Sequence, residues 1–299
     1  MSLIKRYSDK LYLKQWGLGF LKASIADIIR NKSTDLNFEW MSLEDKAISH
    51  ADPFIFKSDD GRLNILFESV SSYNLNGKIS LMVCNDSLDP VLEKVVLNTN
   101  SHLSYPCVFR ENGKIYVFPE SAYSGSLHCY EFDQVKRSFI NKKEILKLPL
   151  LDSTILKYEN RYWLFATLLG DTMHRDLHIF YADNLHGPYI PHTGNPVKKE
   201  MNGSRPAGNF ILVDGSIYRP AQNCSNYYGE SITINRINTL TTTHFDEEEY
   251  MIIGSNKNSE FNYGIHTINA VDDIIIVDGQ KTYFEPVQQL SRKLKNIFN

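Results

Sequence analysis

Long apolar runs and an excess of basic residues are both missing from this 299-residue sequence. No run approaches the roughly 18 consecutive apolar residues that a membrane-spanning helix needs, so the sequence predicts no such helix. Lys and Arg number 32 against 35 Asp and Glu, and the formal net charge is −3. A general nucleic-acid-binding surface would require a strongly basic balance, so nucleic acid is not an expected partner.

Cysteine is scarce, and familiar metal and nucleotide motifs are absent. The four cysteines lack CxxC spacing and three fall in predicted strands, which indicates reduced, buried thiols. The absence of HExxH, EF-hand, GxGxxG and Walker motifs argues against the sites that those motifs build. The first 20 residues lack a continuous apolar segment and a cleavage site, so no signal peptide is predicted and a cytoplasmic location is expected. The cysteines are Cys84, Cys107, Cys129 and Cys224.

What the sequence does contain is a β-hairpin pattern that recurs five times. In "SHADPFIFKSDDGRLNILFES", polar residues precede an apolar run, an Asp60-Gly61 turn follows, and a second apolar run ends in Glu68. Asn-Gly and Asp-Gly turns between β-branched and aromatic runs favour hairpins. Equivalent positions follow at intervals of 53, 47, 53 and 61 residues. These leading residues are Asp52, Tyr105, Asp152, Arg205 and His266.

The length of the repeat indicates the fold class. A period of about 50 residues is typical of propellers or solenoids. Further strand-like runs, such as "KISLMVC", "SLHCYEF" and "SITINRI", lie between the hairpins. They bring each unit to about four strands, the content of one propeller blade. The sequence therefore predicts an all-β fold, a five-bladed β-propeller over residues 38–285.

Two segments flank the repeat. Residues 14–31 carry Trp16, Phe20, Ile25 and Ile28 at roughly helical spacing. Residues 1–37 are therefore expected to form a helical extension packed on the propeller. Residues 286–299 are predicted to form a C-terminal amphipathic helix with basic residues outside its apolar face. We expect this helix either to pack on the propeller or to make peripheral contact with a membrane surface.

The propeller prediction gathers the leading residues at one site. The first strand of each blade lines the central channel, so these five residues are expected to form a ring at one mouth. Two acids, a cation and an imidazole on one axis would repel or desolvate one another without a ligand or a satisfying network. The second strand returns to the same face. Glu68, Glu120 and Gln222 are predicted to form an outer ring there, with Arg219 nearby and with Tyr105 and Tyr227 as stacking surfaces for a sugar.

Several motifs resemble a known family. "ADPFIF", "LSYPCVF", "FPES", "DSTI", "FYADNLHGPY", "SRPAG" and "YRPAQNCSNYYGESI" resemble, in the same order, the N-terminal domain of glucosamine inositolphosphorylceramide transferase and its bacterial relatives. The resemblance implies a five-bladed propeller and a part in surface-polysaccharide biosynthesis. The heads of units one and three also resemble the five-bladed glycoside hydrolases that include arabinanases and β-xylosidases.

The resemblance to glycoside hydrolases implies roles for individual residues. Asp52 corresponds to their catalytic base, and Asp152 corresponds to an aspartate that modulates pKa values. Arg205 occupies the position of their acid glutamate, and arginine stays protonated in proteins, so standard glycosidase chemistry lacks its acid here. No metal or cofactor is predicted, apart from a central divalent cation near His266, because this residue matches a histidine that helps hold calcium in some of those enzymes.

These observations favour glycosyl or related group transfer in glycan assembly. Asp52 would act as base on an acceptor hydroxyl, Asp152 would orient the acceptor or tune Asp52, and Arg205 would bind a phosphate or carboxylate of the sugar. Two alternatives stay open. One is a non-catalytic sugar-binding module that assists a partner glycosyltransferase, and the other is a glycoside hydrolase whose acid is displaced. In each case the expected ligand is a sugar, a sugar nucleotide or a glycan.

Overall fold

The recurring hairpins form the inner strands of five antiparallel sheets arranged as the blades of a β-propeller. The computed structural model describes residues 12–43 and 45–285. The predicted five-bladed fold is confirmed. The chain begins this part with β1 (Tyr12–Lys22), α1 (Ile25–Asn31) and β2 (Glu39–Trp40).

Four blades follow one another along the chain, each beginning with its innermost strand. The fifth blade combines the end of the chain with its beginning, in the order β21-β22-β1-β2 from the inside. Blade 1 contains β3 (Ile48–Lys57), β4 (Leu63–Ser71), β5 (Asn74–Cys84) and β6 (Pro90–Leu97). Blade 2 contains β7 (Ser104–Glu111), β8 (Lys114–Glu120), β9 (Leu127–Asp133) and β10 (Ser138–Leu146). Blade 3 contains β11 (Leu150–Tyr158), β12 (Arg161–Leu168), β13 (Asp176–Ala182), β14 (Ile190–Pro191) and β15 (Lys198–Lys199). Blade 4 contains β16 (Asn202–Pro206), β17 (Ile211–Val213), β18 (Ser216–Asn223), β19 (Ser231–Leu240) and β20 (Phe245–Gly254), and blade 5 adds β21 (Ile268–Val271) and β22 (Ile274–Phe284).

Tight turns close the inner hairpins, as the sequence predicts. In the Asn112-Gly113 turn both residues have positive φ, 50° and 76°, and the Asp214-Gly215 turn repeats this with 50° and 78°. Positive φ at both central positions is typical of type I′ turns, whose twist matches that of the paired strands. Apolar side chains of facing sheets then pack between the blades, and one large cluster joins blades 1 to 3.

The N-terminal segment corrects one sequence-based prediction. Residues 14–22 belong to β1, which pairs with β22 along its whole length, and only Ile25–Asn31 is helical. The prediction of a helical extension over residues 1–37 was therefore wrong for the residues of β1, and the propeller begins before residue 38. Trp16 and Phe20 are four residues apart, a spacing that puts both on one face of a helix and also on one face of a strand. Pairing with β22 favours the strand, because it provides partners for the backbone N–H and C=O groups along the edge of β22.

Three further predictions from the sequence concern the C-terminal segment, the cysteines and membrane-spanning helices. The predicted C-terminal helix over residues 286–299 lies outside the described residues. All four cysteines are free and buried, which confirms that prediction. Across residues 12–43 and 45–285 there is no helix with the length and apolar character that a membrane crossing requires.

Closure of the ring by β1 leads to a stability prediction. Leu18 of β1 is fully buried against Phe67 and Ile276, so β1 packs between blade 1 and the rest of blade 5. Leu18→Ala is expected to lower the free energy of unfolding by about 2–5 kcal/mol, because it removes buried surface and leaves a cavity. Urea denaturation measures this change, with exposed Lys22→Ala at the end of the same strand as the control. Equal effects of the two substitutions would contradict a closing role for β1.

Candidate functional site

The open ends of the first three inner hairpins share a backbone irregularity. In β3, β7 and β11 one extra residue interrupts the register, as where Ala51 pairs with Glu68 and Phe54 already pairs with Leu66. The bulged residues are Asp52, Tyr105 and Asp152, with φ of 52°, 38° and 49°. Residues other than glycine rarely adopt positive φ, and such strain clusters at functional sites. The irregularity falls on three of the leading residues that the sequence singles out.

Carboxylates hold these bulged residues in place. The backbone N–H of Asp52 donates to Asp278 Oδ2 at 2.9 Å, and that of Tyr105 donates to Asp52 Oδ2 at 3.2 Å. The N–H of Asp152 donates to Glu120 Oε2 at 3.1 Å. Each bond joins one blade to the next. Carboxylates therefore stand at the open ends of these hairpins partly because the bulges leave buried N–H groups that need acceptors.

Asp152 and Arg205 form a buried ion pair. Arg205 Nε lies 2.5 Å from Asp152 Oδ2 and its Nη2 lies 3.3 Å from Oδ1, a bidentate arrangement. Gln222 Nε2 donates to the same Asp152 Oδ2 at 2.7 Å. The remaining guanidinium nitrogen, Nη1, lies 3.3 Å from His174 Nδ1. Two of the three nitrogens of Arg205 are thus already committed to a protein carboxylate.

His266 is held on the opposite side of the axis by Asp278 and Trp16. Its Nδ1 lies 2.5 Å from Asp278 Oδ2, and its ring stacks on Trp16 with centroids 3.9 Å apart and planes at 15°. Burial lowers the pKa of His266, but the charge and hydrogen bond of Asp278 and the charge of Asp52 outweigh it and raise the pKa above its usual value. Asp278 and Asp52 thus favour the protonated form of His266.

This pairing bears on the divalent cation expected near His266. Ligand atoms of Asp52, His266 and Asp278 lie within 4.8 Å of one another, a spacing that a metal ion could bridge. A histidine nitrogen must be unprotonated to bind a metal, however, and Nδ1 already bonds to Asp278. As arranged, these residues fit a hydrogen-bonded cluster better than a metal centre, and the cation stays a prediction.

A cavity of about 210 Å³ opens above the ion pair, at the mouth of the channel. Three carboxyl groups and one guanidinium converge on it, from Asp52, Glu68, Glu120 and Arg205, together with the ring of Tyr228. The Tyr228 ring lies 5.3 Å from the Arg205 guanidinium carbon and 5.2 Å from the His266 ring, so it spans the two sides. The other lining residues are His102, Ser104, Tyr123, Leu151, Leu169 and Met173.

Burial separates the acids of this cavity from ordinary carboxyl groups. It raises the pKa of Asp52 to about 6, although the positive charge of His266 opposes the shift. Burial raises the pKa of Glu68 well above its usual value, and the nearby charge of Asp52 raises it further. The pKa of Glu120 is likewise raised by burial and by Asp152, with Arg205 acting in the opposite sense. Burial thus raises the pKa of all three carboxyl groups of the cavity, and it raises those of Glu68 and Glu120 well above the usual value.

The structure brings four of the ten predicted site residues to the cavity wall: Asp52, Glu68, Glu120 and Arg205. Asp152, Gln222 and His266 lie behind that wall and hold it in position. Tyr105 is fully buried, and its hydroxyl bonds to Thr154 and to the N–H of Gly208, so its role is structural.

Two other predicted residues lie away from the cavity. Arg219 is buried in an ion pair with Glu247, with Nε 2.8 Å from Oε2. Tyr227 donates from its hydroxyl to the carbonyl of Tyr263, and the two rings pack together at a tilt of 36°. Neither residue contributes to the cavity wall.

Three residues of the site were missed by sequence reasoning. Asp278 is the one charged residue in the apolar run "IIIVDGQ", and a carboxylate in a buried strand is a usable signal. Tyr228 is adjacent to the predicted Tyr227, and nothing in "CSNYYGES" separates the two rings. His102 precedes unit two by two residues, and its partner Glu68 is apparent only in the fold.

Comparisons with known proteins identify relatives of this chain. The family model described as "Glucosamine inositolphosphorylceramide transferase 1, N-terminal" matches residues 42–272. Glucosamine inositolphosphorylceramide transferase 1 of Arabidopsis thaliana is 32% identical over 248 residues, 77% of this chain and 32% of the relative. The protein of the same name from Oryza sativa subsp. japonica is 31% identical over 206 residues, 66% of this chain and 27% of the relative. The chain thus spans about a third of the length of these relatives.

Solved structures of glycoside hydrolases share the fold. A family 117 glycoside hydrolase from Zobellia galactanivorans aligns with a TM-score of 0.55 and 14% identity over 92% of each chain. An exo-β-1,3-galactanase from Clostridium thermocellum aligns with a TM-score of 0.58 and 10% identity over 79% of this chain and 68% of the other. At these identities the likeness extends to the fold alone. The sequence matches reach further, and they show that this chain belongs to the family of the N-terminal domain of glucosamine inositolphosphorylceramide transferase 1.

Proposed function

We propose that this propeller is a carbohydrate-active domain that binds a sugar in the central cavity and takes part in glycosyl transfer during glycan assembly. The observation that carries the proposal is the convergence of Asp52, Glu68, Glu120 and Tyr228 on one cavity. Carboxyl groups bind sugar hydroxyls, and an aromatic ring provides a flat surface for the C–H face of a sugar. The plant relatives are named glucosamine inositolphosphorylceramide transferase 1, and the two structural neighbours are named as a family 117 glycoside hydrolase and an exo-β-1,3-galactanase.

The unequal carboxyl groups support acid–base chemistry on such a sugar. With a pKa of about 6, Asp52 is ionised at neutral pH and can accept a proton from an acceptor hydroxyl. Glu68 and Glu120 have pKa values raised well above the usual range, so each can keep its proton and donate it to a leaving oxygen. Groups whose environments push their pKa values apart are suited to opposite roles. In this proposal Asp152 acts indirectly, since it lies behind Arg205 and orients it.

We propose a neutral or amino sugar rather than an anionic one. Arg205 was the reason for predicting a phosphate or carboxylate ligand, and its Nε and Nη2 are already bonded to Asp152. The ionised carboxylate of Asp52 also lines the cavity and would repel an anion. An anionic ligand stays a prediction of the sequence, and only Nη1 of Arg205 is placed to support it.

Monosaccharide binding tests this proposal. By calorimetric titration with galactose, xylose and glucosamine, we expect the wild-type chain to bind at least one of them. Tyr228→Ala is expected to weaken that binding by about tenfold, since it uncovers roughly 50 Å² of apolar surface. The control is Tyr158→Ala, at the turn end of the β11–β12 hairpin. Absence of binding to all three sugars, or binding that is equal in the wild type and Tyr228→Ala, would refute a sugar site in this cavity.

A further inference from the structure

A second, larger depression adjoins the central cavity on the side of blades 1 and 2. We call it the side groove, and its volume is about 600 Å³. His102 and Tyr123 line both the side groove and the central cavity, so the two spaces are neighbours across these side chains. The other residues of the side groove are Asn74, Leu75, Asn76, Asn100 and Ser101.

The junction between the two spaces is built around His102. His102 Nδ1 lies 2.9 Å from the backbone nitrogen of Gly77 and 3.0 Å from the carbonyl oxygen of Leu75, and Nε2 lies 3.4 Å from Glu68 Oε1. Gly77 is required for this packing. A Cβ at position 77 would lie 2.4 Å from Glu68 Oε1 and 2.8 Å from His102 Cε1. The Glu68 carboxyl group is therefore fixed at the boundary between the central cavity and the side groove.

The chemistry of the side groove differs from that of the cavity. None of its seven lining residues is an Asp, Glu, Lys or Arg. Tyr123 is 67% exposed and Leu75 is 62% exposed, so an aromatic ring and an aliphatic side chain face solvent within a rim of amides. A diphosphate would require cationic groups, which this surface lacks. Amide groups beside one flat aromatic ring suit the hydroxyls and the C–H face of an uncharged sugar.

The side groove is also larger than the central cavity. Clefts for drug-sized ligands measure roughly 300–1,000 Å³. The central cavity, at about 210 Å³, is smaller than that range and suits one sugar ring, whereas the side groove lies within it. A ligand that fills both must be longer than a monosaccharide and must cross the boundary beside Glu68.

We propose that the side groove is a second sugar subsite, which binds an uncharged sugar residue of an oligosaccharide whose neighbouring residue occupies the central cavity. This inference rests on the proposed function and adds its substrate class, a glycan chain rather than a single sugar or a sugar nucleotide. The bond between the two sugar residues then lies beside Glu68. The ring of Tyr123 stacks on the outer sugar, and the amides of Asn76 and Asn100 bind its hydroxyls.

The test compares sugars of different length on matched variants. Calorimetric titration with galactose and β-1,3-galactotriose, with xylose and xylotriose, and with UDP-galactose measures affinity for wild type, Tyr123→Ala and Tyr12→Ala. Tyr12 is a partly exposed tyrosine of blade 5 that lines neither space. We expect wild type to prefer a trisaccharide to its monosaccharide by about tenfold, and Tyr123→Ala alone to remove that preference, because one ring face covers roughly 50 Å² of apolar surface. Monosaccharide affinity should stay unchanged in Tyr12→Ala, and in Tyr123→Ala it should fall by much less than trisaccharide affinity, because Tyr123 also lines the edge of the central cavity.

Three results would overturn the subsite. Equal affinities for short and long sugars, unaffected by Tyr123→Ala, would leave the central sugar site standing and reject the side groove. Loss of UDP-galactose binding in Tyr123→Ala, with no change for the trisaccharides, would assign the groove to a nucleotide. If no sugar of the panel bound to the wild type, the proposed function would fail together with the subsite.

Discussion

Asp52→Asn is expected to lower glycosyl-transfer turnover by about 10²–10⁴-fold while the chain stays folded, because it removes a general base and keeps the shape of the side chain. The amide that replaces the carboxylate would still present an oxygen to the N–H of Tyr105 or to the hydroxyl of Thr267, the two donors that Asp52 accepts from. Transfer of a sugar residue from uncharged aryl glycoside or oligosaccharide donors to oligosaccharide acceptors measures the loss. The matched control is Asp59→Asn, at the exposed turn end of the same hairpin.

The pH dependence of this variant pair gives a second measurement. Wild-type turnover should rise as pH increases through about 6, because only the ionised form of Asp52 accepts a proton. The pKa of Asp52 is raised on folding, so the folded state binds its proton more tightly than the unfolded chain does. Its contribution to stability is therefore present at about pH 4 and is lost as pH rises towards about 6.

Asp52→Asn removes that pH-dependent loss, so its stability relative to the wild type should improve as pH rises from about 4 to about 6 and stay constant above that. If Asp52→Asn turned over substrate as fast as the wild type, Asp52 would not be the general base. A wild type that binds sugars and turns over none of the donors would instead favour a binding module that assists a partner transferase.

Arg205→Ala is expected to lower the free energy of unfolding by about 3–5 kcal/mol, because it leaves the buried carboxylate of Asp152 without its cation. The pair is bidentate, and Asp152 and Arg205 are 1% and 7% exposed, so both charges are shielded from solvent and depend on each other. Chemical denaturation at neutral pH measures this loss. Arg161→Ala is the control, since Arg161 pairs with Asp183 at the surface and exposed pairs contribute about 0–1 kcal/mol.

A double substitution identifies the source of that loss. Asp152→Asn in the Arg205→Ala background removes the unpaired charge and should restore part of the stability. If Arg205→Ala destabilised the protein no more than Arg161→Ala, the ion pair would not be the structural element described above. Stronger binding of sugar phosphates than of neutral sugars by the wild type, lost in Arg205→Ala, would revive the anionic ligand that the sequence predicts.

The architecture could be predicted because the signal is local and repeated. Each inner hairpin carries its own alternation and its own turn, so five noisy local patterns reinforce one another. The N-terminal strand could not be predicted in the same way. Trp16 and Phe20 fit a helix and a strand equally well, and the partner of β1 is β22, more than 250 residues away in the chain. A pairing at that distance leaves no mark on local sequence periodicity.

The residues of the candidate site could be predicted from the sequence, but their contacts could not. Repeat position alone identified Asp52, Glu68, Glu120 and Arg205, because equivalent positions of successive blades meet at one mouth of the channel. Repeat position could not show that Arg205 is bonded to Asp152, or that Tyr228 rather than Tyr227 faces the cavity. Those outcomes depend on bulges and loop conformations, which turn side chains towards or away from the axis.

By itself, then, the sequence determined the number of blades, the hairpin boundaries and which residues approach the axis, since these follow from short-range alternation and turn chemistry. Only the tertiary structure decided which of these residues are partners, which remain open to a ligand and how their protonation differs. The pKa of Asp52, for example, depends on burial and on charges that lie up to 226 residues away in the chain. Electrostatic energies are set by distance and dielectric environment in the folded state, and neither is encoded in the spacing of residues along the chain.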